Sequence, residues 1–202
     1  MTNTGFGLRL VAHLFGDPQL SHISRCYVPS SDGTAMYRGD MVQSTSGGAG
    51  LVSGQPTLKI ATAVTGTFTG TMGGVCITPD IKGGTTNTVI PDVMTLYRKA
   101  STEQYVLICD DPYAIFEAVS DGTGALNKVG DNASFINGTG VNATGISNGM
   151  ISQSSAATTS TLPLRLFEFS QIVGSAPTGV AAVYRVMPNA HEYKAGTTGT
   201  GT

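Results

Sequence analysis

Apolar residues in this chain fall into short runs separated by Gly, Pro, Asn and Asp, the pattern of strands joined by turns. Thr57-Leu58-Lys59-Ile60-Ala61-Thr62-Ala63-Val64 alternates polar and apolar with period two, which predicts a strand with one face on a core. Leu162-Pro163-Leu164-Arg165-Leu166-Phe167-Glu168-Phe169 does the same. It points Leu162, Leu164 and Leu166 inward, with Ile172 as a fourth candidate, and slips register around Phe167. Pro163 lacks an N–H and so predicts that this strand begins at a sheet edge. Tyr37-Arg38-Gly39-Asp40-Met41-Val42 reads as a turn entering a strand, and Val180 to Met187 as the last strand. Gly66 to Ile77 is glycine-rich, predicting bulges or bends of the kind found at the corners of a small barrel.

The most apolar stretch lies near the middle. Tyr105-Val106-Leu107-Ile108-Cys109 and Tyr113-Ala114-Ile115-Phe116 are separated only by Asp110-Asp111-Pro112. β-Branched and aromatic residues dominate both, so the segment reads as a central hairpin with Val106 to Cys109 covered on both faces. Asp110 can fold its carboxylate onto nearby N–H groups and Pro112 presets φ, which specifies the turn. Strands at this spacing predict an all-β fold, a small barrel or a sandwich.

The domain plan is an N-terminal arm over 1–30, one β domain over 31–189 and a flexible tail over 190–202. Gly5, Gly7, Gly16, Pro18 and Pro29 punctuate the arm, which is expected either to add a strand to the sheet or to reach a neighbouring molecule. Ser46 to Gly50 and Thr78 to Asp92 read as loops, the second long enough to suggest a contact role. Asn132 to Ser155 reads as loops and short edge strands, with Asn137-Gly138 and Asn148-Gly149 as hairpin-type dipeptides. Ala195 to Thr202 has almost nothing to bury.

Composition sharpens this picture. Only 12% of residues are charged, about half the usual quarter, while 40% are apolar and the net charge is −2. A chain of 202 residues with that apolar content can hide roughly 70 to 75% of its unfolded surface in one domain. Its exterior is then clothed largely in Ser, Thr, Gly and Asn, a weakly charged surface that tolerates close packing against neighbours. The 11 basic residues form no run of three, which argues against a nucleic-acid footprint. No stretch of 18 apolar residues and no leader-like N-terminus is present, so no membrane partner is expected and synthesis in the cytoplasm is.

Candidate chemistry is sparse. Cys26, Cys76 and Cys109 form no CxxC pair and read as buried free thiols. His13, His22 and His191 share no metal-ligand spacing, and neither a phosphate loop nor a GxSxG elbow occurs. Asp110, Asp111, Glu117 and Asp121 make the best carboxylate group. It suits a Ca²⁺ site or an acid/base pair, against the plainer reading of a solvated turn. Asn132, Asn137 and Asn142 begin glycosylation-type sequons that the Asn/Thr-rich composition explains. The expectation is therefore no enzyme, with no catalytic, cofactor-binding or metal residue assigned.

Phe6-Gly7-Leu8-Arg9, Tyr27-Val28-Pro29, Gly39-Asp40-Met41-Val42, Tyr97-Arg98 with Ala100-Ser101-Thr102, Tyr105-Val106-Leu107, Asp110-Asp111-Pro112 and Phe116-Glu117 together resemble a family of tailed-bacteriophage capsid cement or decoration proteins. The resemblance runs from Phe6 to about Val186. It implies an all-β virion protein on the capsid surface, partnered by the phage major capsid protein and by other copies of itself as a dimer or trimer. The Gly39-Asp40 turn and Gly73 to Val75 are similar to smaller phage decoration barrels, which implies a barrel in the first half. The alternative function is a head fibre or host-surface-binding virion protein using the 131–155 region.

Overall fold

A computed structural model of the chain describes residues 5–17, 21–45, 51–52, 55–61, 72–79, 96–171 and 177–194. The loop expected at 46–50, residues 80–92 of the loop expected over Thr78 to Asp92, the Gly66 to Thr71 bend, Ile172 and the 195–202 tail lie outside the described residues, while Thr78 and Pro79 are strand rather than loop. In chain order the strands are β1 (Arg9–His13), β2 (Ile23–Val28), β3 (Met41–Ser44), β4 (Leu51–Val52), β5 (Gln55–Pro56), β6 (Leu58–Ile60) and β7 (Gly74–Pro79). They continue as β8 (Gln104–Cys109), β9 (Ala114–Val119), β10 (Asn132–Ile136), β11 (Met150–Ala157), β12 (Leu164–Phe169) and β13 (Val183–Pro188).

The fold is all-β and sandwich-like. One antiparallel sheet has the order β1-β9-β13-β12-β10-β11, a second has β2-β8-β7-β3-β6, and β4 and β5 form a small ribbon. Each large sheet curls until its far strands approach. Tyr27 bridges Thr57 in one sheet and Ser120 bridges Ile151 in the other. Neither sheet closes into a barrel.

The main core lies between the sheets. Phe116, Ala118, Phe135, Leu164, Leu166, Tyr184 and Val186 enter from the six-stranded sheet, and Met41, Val75 and Cys109 from the other. A second cluster covers the opposite face of the five-stranded sheet, with Cys26, Val28, Val42, Leu58, Cys76, Val106 and Ile108 around Met36. Arg98, fully buried, fixes the loop over that cluster. It donates to the carbonyls of Pro29, Asp32, Thr34 and Thr102, with the Asp32 carboxylate 3.7 Å away. Close backbone approach locks the loop of β3 to β1. Gly39 sits at φ +92°, and a Cβ there would stand 3.0 Å from the Gly7 Cα.

The central segment is strand, turn, strand, yet not a hairpin. β8 pairs with β2 and β7, whereas β9 pairs with β1 and β13 in the other sheet. Both runs are apolar enough to take neighbours on both sides, and pairing with each other would use up one of those edges. Asp110 to Tyr113 therefore turns a corner between sheets. All six residues of β9 are buried, while Leu107 of β8 is only half-buried.

The N-terminal segment takes the first of its two expected courses. β1 adds to the six-stranded sheet and β2 to the five-stranded one, so this chain stretch also turns between sheets. The β1-to-β2 and β8-to-β9 connections run antiparallel, side by side, with His13 opposite Ala114 and Ile23 opposite Cys109.

Other boundaries shift for local reasons. β12 lies between β13 and β10 rather than at an edge, because the strand begins one residue after Pro163 and loses no ladder bond to it. Its predicted slip is present, between Leu166 and Glu168, and leaves Phe167 outward. β13 starts at Val183 because Ala181 holds a left-handed φ of 58°. β10 and β11 are true strands across a region expected to be mostly loop. Asn137-Gly138 and Asn148-Gly149 stand at the two ends of a single connection, not at two-residue turns. Among the described residues the glycine-rich run has its bulge between Cys76 and Thr78.

Candidate interaction surface at the inter-sheet corner

Where the two connections cross, the carboxylates of the corner are spent on holding it. Asp111 Oδ1 accepts the Tyr113 N–H at 2.8 Å, closing an Asx turn. Its Oδ2 accepts the His22 N–H at 3.1 Å and lies 3.2 Å from His13 Nε2. Asp110 Oδ1 takes His22 Nδ1 at 2.6 Å, and its Oδ2 takes the Ser24 hydroxyl at 2.5 Å. Each carboxylate thus clamps the β1-to-β2 connection onto the β8-to-β9 corner. Both are over nine-tenths buried, where charge-assisted bonds are strong.

The histidines are oriented by their surroundings. His13 Nδ1 accepts the Phe15 N–H at 3.2 Å, which leaves Nε2 as the protonated nitrogen donating to Asp111. His191 repeats the device: its Nδ1 accepts the Tyr193 N–H at 3.1 Å. Burial lowers the His191 pKa from 6.5 to about 4, with Asp110 and Asp111 pulling the other way. Its Nε2 is buried without a hydrogen-bond partner among the described residues. Asp110 is felt as well at Cys26, whose thiol burial pushes up to about 12.

Around this clamp lies an apolar surface. Phe15 is 70% exposed, Tyr193 59%, Tyr113 42% and Leu14 40%. The Phe15 and Tyr113 rings are 5.4 Å apart, and the Lys194 ammonium stands 6.0 Å from the Tyr113 centroid, which ties the 189–194 segment to the same patch. Clustered exposed aromatics on a fixed backbone have the composition of an interface hot spot.

The four carboxylates grouped in the sequence do not converge. Asp110 and Asp111 share the corner. Glu117 points from β9 into a ladder across the sheet's outer face, paired with Arg9 at 2.5 Å, with Arg185 at 3.5 Å and, through Arg185, with Glu168. Burial pushes its pKa up, but the Ser170 hydroxyl and the two arginines outweigh that and hold it below the usual carboxylate value. Asp121 caps the Gln153 N–H of β11 at 2.8 Å. Among the described residues no group of three or more His, Cys, Asp or Glu could hold a metal ion.

Ser24, His22 and Asp110 are neighbours but make no nucleophilic triad. His22 Nδ1 faces both partners, at 3.4 Å from Ser24 and 2.6 Å from Asp110, and the serine gives its proton to the aspartate. A working triad needs the two ring nitrogens on different partners. The three cysteines are buried and free. Asn132 is buried and Asn137 spends its side chain on Met41 and Ala61, so two of the three sequons lack a free amide.

Sequence reasoning found the two aspartates but missed His13, His22, Ser24, Phe15 and Tyr193. Their only shared signal is position, within a few residues of strand ends that the topology stacks at one corner. The class defined by fold and surface is an all-β sandwich with an aromatic contact corner. No family model, curated protein or solved structure matches the chain. Among the described residues no helix is long and apolar enough to cross a membrane.

Proposed function

We propose that this protein is a non-enzymatic structural component of a phage virion that binds and stabilises the capsid shell. Its partners in this reading are the major capsid protein and further copies of itself, and its place is the capsid surface. The observation that carries the reading is the Leu14, Phe15, Tyr113 and Tyr193 cluster seated on a clamped corner. A rigid backbone lets such a cluster bury its rings without first losing conformational entropy. Many weak copies on a closed lattice add through effective concentration, so each contact can be modest. The low charge content and the resemblance of the Phe6 to Val186 motifs to capsid cement proteins point the same way.

The test is addition of the purified protein to empty, expanded phage capsids, followed by heating. Wild type is expected to bind and raise the temperature of shell disruption. Phe15→Ser/Tyr113→Ser/Tyr193→Ser is expected to stay folded and lose about 1,000-fold in binding, the effect of two hot-spot residues at about 2 kcal/mol each. Absence of shell binding by wild type, or binding to host-surface glycans in its place, overturns the proposal.

A further inference from the structure

At the other end of β1 from the corner, a groove of about 460 Å³ opens between β1 and β7. Phe6, Leu10, Ile77 and Ile146 give it apolar walls, and among the described residues the charged side chains lining it are Arg9 and Arg38, with no acidic residue. Its size is that of a ligand pocket, roughly 300 to 1,000 Å³.

β1 is the end strand of its sheet. The Leu8 N–H bonds to the Gly39 carbonyl at 2.8 Å, away from β9, and strand alternation sends the Leu10 N–H and C=O the same way, toward the groove. The ladder of β1 shifts register beyond Leu10 and that of β7 around Ile77, so both strands bulge beside the groove. An unpaired edge beside an apolar trough accepts a strand.

We propose that this groove takes an extended peptide segment of a partner protein as an added strand beside β1. Alternate residues of that segment are apolar, facing Leu10 and Ile77, and those between are acidic, facing Arg38. Charge selects the occupant: Arg9 is paired with Glu117, but Arg38 is exposed and donates to the neutral Thr144 carbonyl at 2.9 Å, so its positive charge is available to a carboxylate, whereas a basic peptide meets it as a like charge. The edge selects a strand over a small apolar acid, which would leave the Leu10 groups unmet. The proposal goes beyond shell binding and is tested without capsids, so either can fail alone.

The experiment titrates an N-terminally fluorescein-labelled, amidated octapeptide of alternating valine and aspartate with the purified full chain, following fluorescence polarisation of the peptide and amide exchange of the protein. Binding is expected to weaken at least tenfold when lysine replaces aspartate in the peptide, and at least tenfold in Arg38→Glu, an exposed site whose change leaves the core intact. The Leu10 amide is expected to gain protection from exchange in the complex. Equal binding of the valine–lysine peptide, binding unaffected by Arg38→Glu, or octanoate binding as well as the peptide with the Leu10 amide unprotected would each overturn it.

Discussion

Two buried groups make opposite demands on the pH dependence of folding, and their balance can be separated by mutation. His191 is wholly buried with its pKa lowered from 6.5 to about 4 by burial. The unfolded chain takes up that proton near 6.5 and the folded chain refuses it until about 4, so the stability it supports is intact above 6.5 and drains away as pH falls. At about 1.4 kcal/mol per pH unit the loss reaches about 3 kcal/mol by pH 4. Asp40 behaves inversely. Burial raises its pKa from 3.8 to about 6, despite the hydrogen bonds from Ser147 and the Tyr37 N–H. The folded chain therefore binds this proton first, and stability grows by about 3 kcal/mol as pH falls from 6 to 3.8. In wild type the two trends offset each other between pH 4 and 6. Urea unfolding, followed by circular dichroism at fixed ionic strength, checks this in Asp40→Asn and His191→Gln. Asp40→Asn is expected to lose about 3 kcal/mol on going from pH 6.5 to 4, and His191→Gln to gain about as much. Groups common to all the proteins drop out of the differences. If the Asp40→Asn and wild-type profiles run parallel to within about 0.5 kcal/mol, the assignment of Asp40 as a strained buried carboxylate is wrong.

Two further substitutions test the parts that hold the molecule together. Arg98→Met strips four carbonyls of a charged donor in the loop over the second core cluster and should cost about 3 to 5 kcal/mol in chemical denaturation; a loss below about 1 kcal/mol would show that water replaces the guanidinium without penalty. Asp111→Ala orphans the N–H groups of Tyr113 and His22 and the His13 ring. It should cost about 2 to 3 kcal/mol and free the corner amides to exchange, and unchanged exchange at Tyr113 would argue against the clamp.

Strand existence was legible wherever residues alternate over a half-buried face, as at Leu162 to Phe169, because period-two patterning reports one buried face directly. The slip at Phe167 was legible too, since two successive aromatic or apolar residues break the period. Pairing was not. Nothing in Tyr105 to Phe116 distinguishes a hairpin from a corner, because a run of apolar residues fits any strand with two neighbours, and the choice of neighbours is made by β1, β2, β7 and β13 far away in sequence. The same long-range choice hides the site. His13, His22 and Asp110 are remote in the chain and meet only because the two connections run antiparallel. Arg98 read as one basic residue among 11, and only the fold reveals that it is sealed inside. The left-handed turn at Ala181 shows no cue at all, since alanine has no preference for that conformation.

Because two stretches of backbone cross between the sheets at one place, the layers are stitched together there twice. Tension applied at Phe15 or Tyr113 along the strands would load the β1/β9 and β2/β8 ladders in shear at once, straining many parallel hydrogen bonds together instead of unzipping them one by one. A protein gripped at that spot would resist mechanical pulling far better there than along the β3/β6 ladder, which joins only Val42, Gln43 and Ser44 to their partners.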